Sequence, residues 1–130
     1  MYVRFVSPLV DPGTRAETGF FQSVSYLRQN EAPRWILDEL ENQFEWFGEH
    51  LPLPERLGWK FKRRRAIWGT SWFVPSFQEG VSRARYCAWL FEEAGLPVRA
   101  IKIARPQEII WRDSFQILIK PTATTPRAFR

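Results

Sequence analysis

The sequence predicts a single α+β domain, on three observations. The chain has 130 residues, which is the size of one ordinary domain. Apolar residues recur with a helical period in three segments, and five shorter segments are rich in β-branched and aromatic residues. The predicted order is β-α-α-β-α-β-β-β, with a mostly antiparallel sheet and the helices packed on one of its faces.

The N-terminal half begins with a strand and continues into two helices. Residues 2–6 are predicted to form the strand, since they are rich in β-branched and aromatic types. Thr14 and Glu17 have the spacing of a capping box, so the first helix is expected over 15–29. The second helix begins near Pro33 and ends where two further prolines follow. Its predicted buried stripe consists of Ile36, Leu37, Leu40, Phe44, Phe47 and Leu51.

The C-terminal half is predicted to hold one helix and most of the sheet. Residues 52–66 form a loop, and a strand over 66–74 follows it. The third helix begins after Ser76, which has the capping-box spacing with Glu79, and Gly95 is placed to close it. Three short strands that should pair as an antiparallel meander complete the domain, at 98–104, 108–111 and 115–120.

Charge is divided unevenly along the chain. Residues 1–55 carry four basic and nine acidic side chains, a net of −5, whereas residues 56–130 carry fifteen basic and five acidic ones, a net of +10. Such a division predicts one surface that attracts anions and another that repels them. The globular domain is expected over 1–120, followed by a flexible basic tail over 121–130.

Three features of the sequence indicate a cytoplasmic protein. No apolar segment approaches the ~20 residues that cross a bilayer, and the N-terminus lacks the pattern of a signal peptide. The single cysteine, Cys87, excludes an internal disulfide and suits a reducing compartment. We therefore expect no contact with a membrane.

The second predicted helix carries a candidate surface for a protein partner. Its carboxylates recur every three or four residues and form a stripe about 135° around the helix from the buried one. Two tryptophans lie on a third flank, and tryptophan is enriched in interface hot spots. A solvated helix face, with the tryptophans in a wider core, would show the same pattern. The predicted surface for partner binding or self-association contains Trp35, Asp38, Glu41, Glu45, Trp46 and Glu49.

The loop carries a second candidate surface, in which cations alternate with aromatic residues. Cations can contact phosphates and aromatic rings can stack on bases, so this pattern suggests nucleic-acid binding. The alternatives are a solvated loop, or pairing with the acidic stripe in the same molecule or in a neighbour. No RNP1 sequence, GxxG loop, zinc-finger spacing or clear helix-turn-helix accompanies it. This segment, called the basic loop, comprises Trp59, Lys60, Phe61, Lys62, Arg63, Arg64 and Arg65.

The sequence offers little sign of enzymatic chemistry. With one histidine, His50, and one cysteine, Cys87, a zinc site of the usual type cannot be built. Cys87 falls on the apolar face of the third helix and is expected in the core. Glu108 and Asp113 could bind Mg²⁺ as a carboxylate pair, but both fall near predicted turns. Gly-rich phosphate loops and the GxSxG motif are absent.

Three hypotheses about function follow from these patterns. The first is a non-enzymatic binding or adaptor module that uses the acidic and aromatic helix face together with the basic loop. The second is a nucleic-acid-binding protein that uses the basic loop, and the third is an enzyme of unrecognised type. No catalytic residue, metal ligand or cofactor is assigned from the sequence.

Short motifs along most of the chain carry a resemblance to other proteins. They are Val3-Arg4-Phe5-Val6, Gly19-Phe20-Phe21-Gln22, Trp46-Phe47 with Leu51-Pro52-Leu53-Pro54, Arg65-Ala66-Ile67, Gly95-Leu96-Pro97-Val98, and Asp113 with Gln116. Together they resemble a group of small bacterial proteins of uncharacterised activity, in which the segment over 68–73 is shorter. The resemblance implies a bacterial, cytoplasmic context and carries no catalytic residues.

Overall fold

The computed structural model describes residues 1–12, 15–51 and 69–129. Within them lie three helices and a six-stranded antiparallel sheet, so the predicted α+β fold class is confirmed. The elements in chain order are β1 (Tyr2–Val10), β2 (Glu17–Gly19), α1 (Phe20–Gln29), α2 (Arg34–His50), β3 (Thr70–Phe73), α3 (Gln78–Glu93), β4 (Arg99–Ile103), β5 (Ile109–Arg112) and β6 (Gln116–Ile119).

The long first strand organises the sheet. One edge of β1 pairs with β4 over residues 2–6. Its other edge pairs with β3 at Val3 and with β2 at Val6 and Val10, so β2 and β3 follow one another along that edge. Beyond β3, the sheet continues through β6 to β5.

The predicted meander is correct for its final hairpin and wrong for β4. β5 pairs with β6, as predicted, but β4 pairs with β1. β1 has nine residues and offers β4 five paired positions, whereas β5 has only four residues. The longer edge of β1 provides more backbone hydrogen bonds. Because β1 and β4 are far apart in the sequence, a local pattern could not predict that they pair.

Side-chain alternation gives the sheet two apolar faces. Phe5 of β1 and Phe73 of β3 belong to the main core, which the three helices cover. Trp72 lies on the opposite face and packs with Ile117 and Ile119 of β6 in a second, smaller cluster. The sheet therefore separates the surface that α1, α2 and α3 cover from a second surface, on which no helix of the described residues packs.

α2 fully buries Ile36, Leu40 and Phe47 of its predicted stripe and partly buries the other three members. The helices α1 and α3 begin later than predicted. α1 follows Gly19 and α3 follows Phe77, and neither has a side-chain cap. Glu17, predicted to cap α1, lies instead in β2 with its side chain buried. The buried helical residues are Phe20, Ser23, Val24 and Leu27 in α1, Ile36, Leu40 and Phe47 in α2, and Gly80, Ala84, Cys87, Leu90 and Phe91 in α3.

The end of α3 is as predicted. Gly95 has a φ of +93°, a conformation that favours glycine. The N–H of Leu96 donates to the carbonyl of Phe91 at 3.0 Å, and the N–H of Gly95 donates to that of Glu92 at 3.0 Å. These two bonds form a Schellman motif, which satisfies carbonyls that the helix end would leave unpaired.

The C-terminal segment follows β6 and contacts the N-terminal part of the chain. The backbone N–H groups of Ala128 and Phe129 donate to the carboxylate of Glu17 at 2.6 and 2.7 Å. The guanidinium of Arg99 lies 4.6 Å from the ring centroid of Phe129. The division of the chain into a globular part and a flexible tail at residue 120 stays a prediction.

Candidate functional site

Helices α2 and α3 meet through a row of side-chain pairs. Residue numbers rise along α2 as they fall along α3, so the two helices run antiparallel. The α2 members are three or four residues apart and therefore lie on one helix face. From one end of the interface to the other, the pairs are Trp35 with Trp89, Glu39 with Tyr86, Gln43 with Arg83, and Trp46 with Arg83.

One end of this row is an exposed group of aromatic rings, here called the aromatic cluster. Trp35, Tyr86 and Trp89 have 52%, 37% and 51% of their surface exposed. Tyr86 stacks on Trp89 with ring centroids 6.0 Å apart, and Trp35 lies 6.4 Å from Trp89. Single exposed apolar residues are common, but three rings joined through Trp89 form a continuous patch of the kind found at interfaces.

The hydroxyl of Tyr86 is fixed by a carboxylate. It donates a hydrogen bond to Oε2 of Glu39 at 2.8 Å. This bond raises the pKa of Tyr86, because deprotonation would break it and place two negative charges together. The bond holds one ring of the cluster in place while leaving its face exposed.

The predicted acidic stripe lies along the solvent side of α2. Its four members, Asp38, Glu41, Glu45 and Glu49, are all exposed. Asp38 pairs with Arg34 at 3.1 Å; within the described parts of the chain, the other three form no ion pair. Carboxylates at this spacing repel one another by a few tenths of a kcal/mol per pair. The stripe is therefore a strip of negative charge beside the aromatic cluster.

The structure separates the two tryptophans that the sequence groups together. Trp35 is exposed, whereas Trp46 is half-buried and packs against the main core. The Trp46 ring stacks on His50 at 4.1 Å and on Phe77 at 5.9 Å, and the guanidinium of Arg83 lies 4.2 Å from its centroid. Trp46 thus connects α2 to α3. Its position agrees with the alternative in which this tryptophan belongs to a wider core.

Two residues of this surface, Tyr86 and Trp89, are missing from the sequence-based site. They lie three residues apart in α3, outside its apolar stripe at Ala84, Cys87 and Phe91. That spacing was a usable signal, since it puts both rings on the solvent side of a helix. Their contact with Trp35 could not be predicted, because it depends on how α2 and α3 pack.

The basic loop, from Trp59 to Arg65, lies outside the described residues. Its predicted contact with nucleic acid, or with the acidic stripe, therefore stays a prediction.

Two of the groups considered for catalysis, Cys87 and Asp113, have structural roles. Cys87 is fully buried, and burial raises the pKa of its thiol to about 12. Oδ1 of Asp113 accepts hydrogen bonds from the N–H groups of Phe115 and Gln116 at 2.7 and 2.8 Å, which closes the turn before β6. Over 1–12, 15–51 and 69–129, no three His, Cys, Asp or Glu residues are placed to hold a metal ion.

The fold and this site define an α+β domain with an exposed aromatic and acidic surface on two antiparallel helices. Comparison of the chain with protein-family models, with curated proteins and with solved structures finds no match. No helix in the described part of the chain is long and apolar enough to cross a membrane. The resemblance to small bacterial proteins stays a prediction.

Proposed function

We propose that the protein is a cytoplasmic, non-enzymatic binding module whose α2–α3 surface docks a partner protein with a basic and partly apolar face. The observation that carries this proposal is the exposed aromatic cluster of Trp35, Tyr86 and Trp89, flanked by carboxylates. Because no known protein matches the chain, the proposal is based on the geometry of the site.

The aromatic cluster supplies the apolar part of the docking surface. Trp35 and Trp89 expose about half of their surface each, and tryptophan side chains at the centre of an interface often contribute 2 kcal/mol or more, as a rough rule. The contacts among the rings and the Tyr86–Glu39 hydrogen bond hold the cluster in one arrangement. Little side-chain entropy is then lost when a partner binds.

Carboxylates on both helices determine the charge of the partner. The acidic stripe of α2 lies on one side of the aromatic cluster, and the exposed Glu92 and Glu93 follow Trp89 by one turn of α3. A cationic partner surface would relieve the repulsion within the stripe and would be attracted at long range. Binding should therefore weaken with salt, since these charges are exposed.

The same charges argue against nucleic acid at this surface. Phosphate groups would be repelled by the acidic stripe, so a nucleic acid would need another part of the molecule. The basic loop is the candidate for such contact, and its hypothesis is independent of the aromatic cluster. The two hypotheses predict different responses to the same substitutions.

The test uses designed peptides as probes, because the natural partner is not identified. One peptide forms an amphipathic helix of leucine and arginine, and its matched control has glutamate in place of arginine. Affinity is measured by calorimetry for the native protein and for the double variant Trp35→Ala/Trp89→Ala. The control variant is Tyr26→Ala, which removes an exposed aromatic ring from α1.

We expect the leucine–arginine peptide to bind, and the double variant to bind it at least tenfold more weakly. Tyr26→Ala should leave the affinity within twofold, and the glutamate peptide should not bind. Equal affinity for both peptides, or an unchanged affinity in the double variant, would contradict the proposal. Self-association that the double variant abolishes would identify a second copy as the partner. Oligonucleotide binding retained in the double variant would favour the basic loop.

A further inference from the structure

A cavity of about 360 Å³ lies on the face of the sheet opposite α1, α2 and α3, away from the α2–α3 surface. Its apolar lining includes the part-exposed Ile101 of β4, and the fully buried side chains of Val6 in β1 and Trp72 in β3 lie beneath it. Its walls come from residues 15–17 and from residues 121–123 and 125–127 of the C-terminal segment. The volume is within the range of small-molecule sites, which starts at roughly 300 Å³.

The charged residues that line this cavity, in the described part of the chain, are three arginines and one glutamate: Arg4, Arg15, Glu17 and Arg127. Glu17 is only 3% exposed, and its carboxylate accepts hydrogen bonds from the backbone N–H groups of Ala128 and Phe129. Its oxygens are thus occupied by the C-terminal segment. The cavity keeps an excess of positive charge.

The guanidinium of Arg4 is held between β2 and β3. Its Nη2 donates to the carbonyl of Glu17 at 2.8 Å, and its Nη1 donates to the carbonyl of Ser71 at 3.2 Å. Both hydrogen-bond acceptors are neutral carbonyls that orient the cation, and the carboxylates of Asp11 and Glu17 offset part of its charge without an ion pair to Arg4. Burial lowers the pKa of Arg4 to about 10, and the group is still cationic at neutral pH.

The other two arginines are linked to each other across the cavity wall. Nη2 of Arg127 donates to the backbone carbonyl of Arg15 at 3.2 Å. This bond joins the C-terminal segment to the residues that precede β2. Within the described residues, none of the three arginines lies within 4.0 Å of a carboxylate as an ion pair.

From this arrangement we infer that the cavity binds a small organic anion, with a carboxylate or phosphate group on the arginines and an apolar body against Ile101 and Pro121. Arginine presents paired N–H donors that match both anionic groups. An apolar floor with few charged groups at one side is the usual organisation of a small-molecule site. The site does not depend on the docking surface, since the two lie on opposite faces of the sheet.

The experiment titrates the protein with three aromatic probes of similar size. Benzoate and phenyl phosphate carry the two anionic groups, and benzyl alcohol is the neutral control. The indole N–H signal of Trp72, which donates to Thr70 at 3.0 Å, is followed by NMR. Inorganic phosphate is a fourth probe, which tests whether the apolar body contributes.

The decisive variant is Arg15→Gln/Arg127→Gln, which removes two charges from the cavity. Arg4→Gln is less informative alone, because Arg4 bridges two strands and its loss can unfold the protein. The matched control is Arg99→Gln, which removes a charge and a contact to the C-terminal segment. Arg99 does not line the cavity.

We expect saturable shifts with both aromatic anions and at least tenfold weaker binding of benzyl alcohol. The double variant should bind the anions at least tenfold more weakly, and Arg99→Gln should stay within twofold. The inference is overturned if neither anion gives saturable shifts, or if the double variant binds them as tightly as the native protein. If inorganic phosphate binds as tightly as phenyl phosphate, the apolar body does not contribute to affinity. That result would overturn the inference that the ligand is organic.

Discussion

The hydroxyl of Tyr86 donates a 2.8 Å hydrogen bond to Glu39, joining α3 to α2 at the molecular surface. Tyr86 stacks in turn on Trp89, which contacts Trp35. A polar contact thus fixes one side of an exposed aromatic cluster. This arrangement presents the rings together on one surface.

Replacement of Glu39 should change the titration of Tyr86. The hydrogen bond to Glu39 raises the pKa of Tyr86, so Glu39→Gln is expected to return it toward the ordinary value of about 10. The stability that this bond contributes is fully present below the pKa of Tyr86 in the unfolded state. It is lost as the pH rises through the pKa of Tyr86 in the folded state. NMR of the tyrosine ring carbons measures both titrations. Glu41→Gln is the control, and an equal effect there would contradict the assignment.

The two tryptophans of α2 should differ in their effect on stability. Trp46→Ala removes a half-buried ring that packs on Phe77 and under Arg83, and it should lower the free energy of unfolding by about 2–3 kcal/mol. Trp35→Ala removes an exposed ring and should change it by less than about 0.5 kcal/mol. Urea denaturation of both variants provides the comparison. Similar losses for the two would place Trp35 in the core as well.

Glu17 should hold the C-terminal segment in place. Glu17→Gln replaces one of two acceptor oxygens with an amide donor, which leaves an N–H of Ala128 or Phe129 without its partner. We expect faster hydrogen exchange at these two amides and a loss of about 1–3 kcal/mol in the free energy of unfolding. Glu108→Gln, at an exposed site, is the control. Unchanged exchange in Glu17→Gln would show that other contacts hold the segment.

Local patterns were sufficient for most of the secondary structure. The buried stripe of α2 at Ile36, Leu40 and Phe47 follows from helical spacing alone. Gly95 ends α3 as its position in the sequence predicts, because a positive φ there favours glycine. The capping-box pattern failed for Glu17, since its carboxylate found backbone donors more than a hundred residues away.

The candidate site was predictable only in part. Trp35 and the acidic stripe were recognised because they share one helix, and periodicity assigns faces within a helix. Tyr86 and Trp89 belong to another helix, so their contact with Trp35 has no local signature. The partial burial of Trp46 also required the structure. Helical periodicity places Trp46 on an exposed flank of α2, but Phe77 and Arg83 cover its ring.

The sequence alone established the α+β class, the helical stripes, the acidic face of α2 and the uneven division of charge. Each of these depends on side chains close together in the chain, whose spacing is set by backbone geometry. The tertiary structure was required for the pairing of β4 with β1, the aromatic cluster and the arginine-lined cavity. These features join distant segments, and their geometry comes from the packing of whole elements against one core.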